Sequence, residues 1–254
     1  MDIQALRAFE DNYIWLLRDG RRVVAVDPGD AAPVLRFLED EDASLVAILL
    51  THHHGDHTGG VDGLLARHRV PVYGPATESI AGITHPLQEG DTVSLPDLQA
   101  QLRVIEVPGH TRGHIAYYGH GALFCGDTLF GCGCGRLFEG TAAQMWASLS
   151  RLAVLPADTN VYCAHEYTQS NIRFALAVEP GNAALQARAG RVARLRAEGQ
   201  PTVPFKLAEE LETNPFLRGA QAEVAASAER HVGARLSGAG EVFAALREWK
   251  NGFR

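Results

Sequence analysis

Thr51-His52-His53-His54-Gly55-Asp56-His57 follows directly on the apolar run Leu45–Leu50. Four imidazoles and one carboxylate crowd into six residues at the end of a β-branched and leucine-rich segment. A buried strand end has no use for such a set, because every imidazole nitrogen taken out of water needs a hydrogen-bond partner. Metal binding removes the difficulty, since neutral imidazole nitrogens and carboxylates are ligands for Zn, Fe and Mn. Strand geometry turns His52 and His54 to one side and His53 to the other, so His53 reads as packing or support for a ligand. Asp56 and His57 fall on the turn beyond the strand.

Working outward, three further apolar runs end in the same way. Leu102–Val107 leads into Pro108-Gly109-His110, Leu123–Cys125 into Gly126-Asp127-Thr128, and Val161–Cys163 into Ala164-His165-Glu166. In α/β sheets, sites form at the carboxyl ends of strands. Four such ends carrying His and Asp point to one shared site. His114 and His120 are left over, as support or surface residues. Cys132-x-Cys134 has no second pair to complete a four-ligand zinc site, so Gly131–Gly135 reads as a glycine-rich loop beside the site.

The rest of the chain up to about Glu166 mixes strands with helices. Val23–Val26, Leu45–Leu50, Val70–Tyr73, Leu102–Val107, Ile115–Tyr118, Ala122–Cys125 and Asn160–Cys163 are expected strands. Ala31–Glu39 and Ala142–Leu152 are expected helices, the second capped by Thr141. After Tyr167 the strand-like runs disappear. Gln169–Val178, Ala183–Glu198, Ala220–Arg230 and Glu241–Lys250 have helical apolar spacing. The spacing predicts a boundary near residue 168, with domains over 1–167 and 168–254.

The 254 residues carry a net charge of −7, which argues against a nucleic-acid partner. Residues 1–170 hold 11 basic and 21 acidic side chains, hence −10, while residues 171–254 hold 12 and 9, hence +3. No run of about 18 uncharged apolar residues exists, so no membrane span is expected. Met1–Asp11 contains acids and no apolar core, unlike a secretory signal. Four cysteines in a chain this long do not make a disulfide framework, so a reducing cytoplasm is expected.

These motifs resemble the metallo-β-lactamase superfamily, whose H-x-H-x-D-H motif is met by His52, His54, Asp56 and His57. Within it the chain is similar to the glyoxalase II (hydroxyacylglutathione hydrolase) family. The resemblance is carried by Phe9-Glu10-Asp11-Asn12-Tyr13, Val26-Asp27-Pro28-Gly29, Pro108-Gly109-His110-Thr111, Cys125-Gly126-Asp127-Thr128-Leu129-Phe130, His165-Glu166-Tyr167-Thr168 and Asn214-Pro215-Phe216-Leu217-Arg218. It implies an α+β fold: an αββα sandwich catalytic domain followed by a small all-helical substrate-binding domain. It also implies two divalent metal ions, Zn first with Fe or Mn as alternatives. His52, His54 and His110 would hold one, and Asp56, His57 and His165 the other. Asp127 would bridge them, with Asp56 and Asp127 as the catalytic carboxylates. Arg136, Phe138, Tyr167 and Arg218 would contact substrate. Many members have Lys at the Arg136 position and Tyr at the Phe138 position. Some have a Lys shortly after the Arg218 position, where this chain has Gly219-Ala220-Gln221.

The implied reaction is hydrolysis of S-(2-hydroxyacyl)glutathione, typically S-D-lactoylglutathione, by a monomer. It is the second step of methylglyoxal detoxification. Two metals sharing a solvent molecule make hydroxide available near pH 7. The thiolate then leaves without a general acid, since its parent thiol has a pKa of about 8.5. No G-x-S-x-G signals a serine hydrolase. Three rivals are a one-iron persulfide dioxygenase, another hydrolase of the superfamily and a non-enzymatic metal-binding module. The intact Asp56–His57–His165 set disfavours the first. The helical tail with the Cys125–Thr141 match disfavours the second, and seven candidate ligands disfavour the third.

Overall fold

In a computed structural model describing Met1–Phe253, the N-terminal two-thirds is an αββα sandwich. Its first sheet runs in sequence order: β1 (Asp2–Ala8), β2 (Asn12–Asp19), β3 (Arg22–Val26), β4 (Ser44–Leu49), β5 (Val72–Pro75) and β6 (His85–Leu87). The second sheet uses β7 (Thr92–Leu95), β8 (Ala100–Glu106), β9 (Ile115–Gly119), β10 (Ala122–Gly126), β13 (Asn160–Cys163) and β14 (Phe205–Lys206). Its order is β14-β13-β10-β9-β8-β7. A two-stranded ribbon, β11 (Leu129–Phe130) with β12 (Gly133–Cys134), stands apart from both.

Helices α1 (Ala31–Asp40), α2 (Gly55–Thr58) and α3 (Val61–Leu65) belong to the first half, and α4 (Ala142–Ala153) follows the ribbon. The Thr141 cap is present as a capping box, with the hydroxyl accepting from Gln144 N and the Gln144 side chain accepting from Thr141 N. The last part of the chain carries α5 (Thr168–Val178), α6 (Ala183–Ala197), α7 (Leu207–Thr213), α8 (Ala222–Val232) and α9 (Ala239–Gly252).

Strand β2 shows how the layers are held. Tyr13, Trp15 and Leu17 point into the core between the sheets, while Ile14 and Leu16 join the core under α1 and α3. Strand β3 divides likewise: Val24 and Val26 go to one core, Val23 and Ala25 to the other. A strand buried on both faces shows no polar alternation, and β2 was not among the expected strands for that reason. β1, β6, β7 and the helix α7 were also absent from the expectation. All are short or half exposed, and β7, though it alternates, spans only four residues.

The expected disappearance of strands after Tyr167 does not hold. β14 pairs antiparallel with β13 and forms the edge of the second sheet. Phe174, Phe205, Phe216, Phe243 and Leu246 belong to the same apolar cluster as Leu123 and Phe124 of β10. A chain cut after Glu166 loses an edge strand and exposes that cluster. Such a fragment is expected to lose the cooperative melting transition of the whole chain and to aggregate, read by calorimetry and light scattering. A soluble fragment with an unchanged transition would refute this.

Candidate metal centre

Every candidate ligand leaves the carboxyl end of a strand. His52 and His54 follow β4, and Asp56 and His57 lie in α2. His110 follows β8, Asp127 follows β10 directly, and His165 follows β13. β4 belongs to the first sheet and the others to the second, so the group sits where both sheets end. Two glycines permit the close approach: a Cβ on Gly29 would collide with Asp56 O, and one on Gly135 with Asp127 O.

The side chains form two groups joined by one carboxylate. His54 Nδ1 lies 3.1 Å from His52 Nε2 and 3.0 Å from His110 Nε2. Asp56 Oδ2 lies 3.5 Å from His57 Nε2 and 3.4 Å from His165 Nε2. Asp127 stands between them. Its Oδ2 is 3.3 Å from His110 Nε2, and its Oδ1 is 3.5 Å from His57 Nε2 and 3.4 Å from His165 Nε2. Within each of the sets His52–His54–His110, His52–His57–Asp127 and Asp56–His57–His165, the ligand atoms lie within 4.8 Å of one another.

Outside this ring, a second set of residues fixes the imidazoles. Asp27 accepts from Thr51 N at 2.8 Å and from Thr51 Oγ1 at 2.7 Å, and also faces His57 Nδ1 at 3.1 Å. Asp11 Oδ1 is 2.8 Å from His165 Nδ1, and Asn12 Nδ2 donates to Asp56 Oδ2 at 3.0 Å. His110 Nδ1 donates to Arg136 O at 2.8 Å. These contacts set which nitrogen of each ring faces inward. Reading strand ends did not bring out Asp11, Asn12 or Asp27 as supports. Their signal was the repeated pairing of acids with apolar runs at Phe9–Tyr13 and Val26–Gly29. His114, one of the leftover histidines, stacks on His52 at 4.5 Å and accepts from Asp127 N. His120 accepts from Gln101 N at the surface. His53 lies between Glu78 Oε2 at 3.0 Å and Glu139 Oε1 at 3.1 Å.

The charges are consistent with a cation site. Burial depresses the basicity of His52, His54 and His110. Burial also opposes charge on His57 and His165, but Asp127 with Asp27 lifts His57 to about 10, and Asp127 with Asp56 and Asp11 lifts His165 to about 11. Asp127 is itself desolvated, yet the facing His57 and His165 keep its pKa below the usual carboxylate range. His57 Nε2 and Asp127 Oδ1 are buried and have no hydrogen-bond partner. Buried polar atoms in that condition are costly unless an ion completes them, and the N/O donor set suits a divalent cation.

The expected substrate residues are distributed around this group. Phe138, 60% exposed, puts its ring centroid 5.6 Å from that of His54 and 5.2 Å from that of His110. The Arg136 guanidinium lies 5.6 Å from the Phe138 ring centroid. Tyr167 stacks on His165 at 4.7 Å on the other flank. Arg218, expected to contact substrate, is paired within the chain. Its Nε and Nη2 donate to both oxygens of Glu179 at 2.8 and 2.7 Å, and Nη1 donates to Leu211 O. A substrate carboxylate would have to displace Glu179.

Sheets and cluster together define a metallo-β-lactamase-type protein. A metallo-beta-lactamase superfamily model matches residues 8–165, and one for the hydroxyacylglutathione hydrolase C-terminus matches 166–253. The chain belongs to the hydroxyacylglutathione hydrolase family of the metallo-β-lactamase superfamily. It is 52% identical over 254 residues to a hydroxyacylglutathione hydrolase of Nitrosomonas eutropha, covering 100% of both chains. To one of Alkalilimnicola ehrlichii it is 56% identical over 252 residues, 98% of each. Among solved structures it resembles ETHE1 from Myxococcus xanthus, with a TM-score of 0.72, 26% identity and coverage of 100% of this chain and 93% of the other. The fold also matches BLEG-1 B3 metallo-beta-lactamase at a TM-score of 0.64 and 23% identity, over 85% and 99% of the two chains. Divalent metal binding follows from the family together with the clusters.

At neutral pH the bare chain holds protons on His57 and His165, because both pKa values lie well above 7. A metal needs the neutral rings, so loading must release those protons. Titrating metal-free protein at pH 7 in two buffers of different ionisation heat is expected to show release of about two protons per chain. Uptake without proton release would contradict the arrangement.

Proposed function

We propose that the chain hydrolyses S-(2-hydroxyacyl)glutathione, S-D-lactoylglutathione foremost, to glutathione and the 2-hydroxy acid, as in the second step of methylglyoxal detoxification. The observation that carries this is Asp127, whose two oxygens face separate imidazole groups while Arg136 and Phe138 stand at the rim. The family match through residue 253 supports glutathione as the thiol part.

The proposed ligands are His52, His54 and His110 for one ion, Asp56, His57 and His165 for the other, and Asp127 for both. Zinc suits this set, as do Fe and Mn. Divalent ions held by these residues would lower the pKa of a water toward neutrality and polarise a carbonyl oxygen. Asp127 keeps its negative charge between the imidazoles throughout. Asp56 is held below the usual carboxylate range by the facing His165 and His57 rings, and its partly exposed carboxylate is placed to accept a hydrogen bond from the attacking water. Water oxygen bonds to the thioester carbon, the C–S bond breaks with its electron pair left on sulfur as thiolate, and the protons of the water pass to solvent as the acid product ionises, one of them available to the departing thiolate. Burial and the nearby Asp11, Asp127 and Asp56 keep the Tyr167 phenol protonated, so it can donate a hydrogen bond to substrate.

Residues 168–254, taken as a separate substrate-binding unit, support the rim loop from behind. Asn214 Nδ2 donates to Phe130 O and Gly133 O, Asn171 Nδ2 to Gly131 O, and Arg247 Nη1 to Cys134 O. We assign Arg136 to a glutathione carboxylate, and Arg218 to a second contact made by exchanging Glu179 for substrate. The four cysteines are buried free thiols, as a reducing cytoplasm would keep them, and no helix among the described residues is long and apolar enough to cross a membrane. We take the active form to be a monomer.

Asp127→Ala is expected to lose more than half of the bound metal, by elemental analysis, and nearly all thioester hydrolysis. Two retained ions with ordinary turnover would refute the shared role. Arg136→Ala is expected to leave metal content unchanged and lower kcat/KM on lactoylglutathione by about tenfold, mostly through KM, as for the loss of one charged hydrogen bond. Added salt should weaken the parent more than the variant. Equal kinetics in the two proteins would remove Arg136 from glutathione recognition.

A further inference from the structure

His53 takes no part in the hydrolysis described above, although it sits between two candidate ligands. Its ring turns away from the group that His52 and His54 enter, as alternation along an extended chain requires. Each of its nitrogens faces a carboxylate instead: Nδ1 is 3.0 Å from Glu78 Oε2, and Nε2 is 3.1 Å from Glu139 Oε1. The two acids come from separate loops. Glu78 lies beyond β5 and its side chain is buried. Glu139 follows Phe138 in the rim and is partly exposed. Between them runs Thr111–Gly113, just after candidate ligand His110. Glu78 Oε1 accepts from Thr111 Oγ1 and from Gly113 N at 3.1 Å. Glu139 Oε2 accepts from Arg112 N at 3.1 Å, and Glu139 O from Arg112 Nε at 3.2 Å. A Cβ on Gly113 would collide with the Glu78 side chain, so the loop fits closely there. His53, the two acids and this loop close a ring of contacts.

The rim depends on that ring. Asn171, Asn214 and Arg247 hold the chain from Phe130 to Cys134, before the rim residues begin. Across Arg136–Gly140, two backbone bonds tie the rim to the His110 loop: Phe138 N donates to His110 O at 3.2 Å and Gly140 N to Gly109 O at 3.1 Å. The polar side-chain contacts of this stretch with other segments are those of Glu139, among the described residues. Without the His53 ring, Glu78 and Glu139 would face one another across a gap. Like charges repel, and Glu139, the more exposed of the two, would swing outward and carry Phe138 with it.

We propose that His53 is a positioning residue for substrate: it holds Glu139, and through it Phe138 and Arg136, in the geometry that grips the glutathione thioester. This rests on the thioesterase reading above. His53 faces the two acids and not the ion-binding group, so its loss acts on substrate affinity and spares both the ions and the chemical step.

The test measures kcat, KM and metal content of the metal-loaded full chain on S-D-lactoylglutathione. His53→Asn puts an amide near the place of Nδ1 and reaches Glu78 alone. His53→Gln puts one near the place of Nε2 and reaches Glu139. His53→Ala and His53→Asn are expected to raise KM about fivefold with kcat within about twofold of the parent's, as for a lost polar contact that acts on binding. Metal content should equal the parent's. His53→Gln is expected to restore most of the affinity. Glu139→Ala should raise KM as well, and adding His53→Ala to it should raise KM no further, because the two residues act as one unit. An active parent overturns the positioning role alone if KM is unchanged in His53→Ala, if Asn restores affinity as well as Gln, if the two losses add, or if kcat and bound metal fall together. A metal-loaded parent inactive on lactoylglutathione overturns the thioesterase reading and the positioning role with it.

Discussion

A carboxylate buried between two groups of imidazoles is the constraint on which the site depends. Asp127 is desolvated and cannot stand alone in that surrounding, because an unpaired buried charge is costly. Its Oδ2 faces His110 and its Oδ1 faces His57 and His165, so it needs positive charge on both sides. Protons on His57 and His165 supply it on the Oδ1 side in the bare chain, and divalent ions at the candidate ligands would supply it on both sides. The same geometry therefore accounts for the raised basicity of two rings and for the unpartnered atoms His57 Nε2 and Asp127 Oδ1.

Holding six further candidate ligands around that carboxylate requires rigid surroundings. Asp27, Asp11, Asn12 and the Arg136 carbonyl each fix one inner side chain. The last of these joins a candidate metal ligand to the proposed substrate rim in one hydrogen bond, since His110 is aimed by the backbone of the residue proposed to read glutathione. The rim loop is in turn held by Asn171, Asn214 and Arg247 from the helical part of the chain. Catalytic centre, rim and tail are thus one connected structure, which accords with the single apolar cluster shared by Leu123, Phe216 and Phe243.

Two neighbouring buried groups have roles in packing. Glu210 receives Cys132 N and Asn214 Nδ2 and faces Arg188 Nη2 at 2.5 Å. Arg188 is fully buried, an arrangement tolerated because its charge is paired with Glu210 and Glu209. The thiols of Cys125 and Cys132 are pushed up to about 12 by burial, so neither is a nucleophile near neutral pH.

The seven candidate ligands were legible in the sequence because each lies just after an apolar run or, for Asp56 and His57, on the turn beyond one, and strand periodicity placed His52 and His54 on one side. Helix α4 was legible to its cap, since Thr141 and Gln144 interact within one turn. Those signals are local. Strand β2 was hidden because both its faces are buried, and β14 because two residues make a strand only when β13 lies beside them. The same limit applies to Arg218. Its sequence context, Asn214–Arg218, suggested a substrate contact and gave no sign of Glu179, which the fold brings from the end of α5 to the Nε–Nη2 edge of its guanidinium. The sequence by itself determined which chemistry is available, through residue types at strand ends. Tertiary structure alone decided which charges meet, because partners such as Asp127 with His57, or Arg218 with Glu179, lie tens of residues apart and are joined only by the packing of the sheets and helices between them.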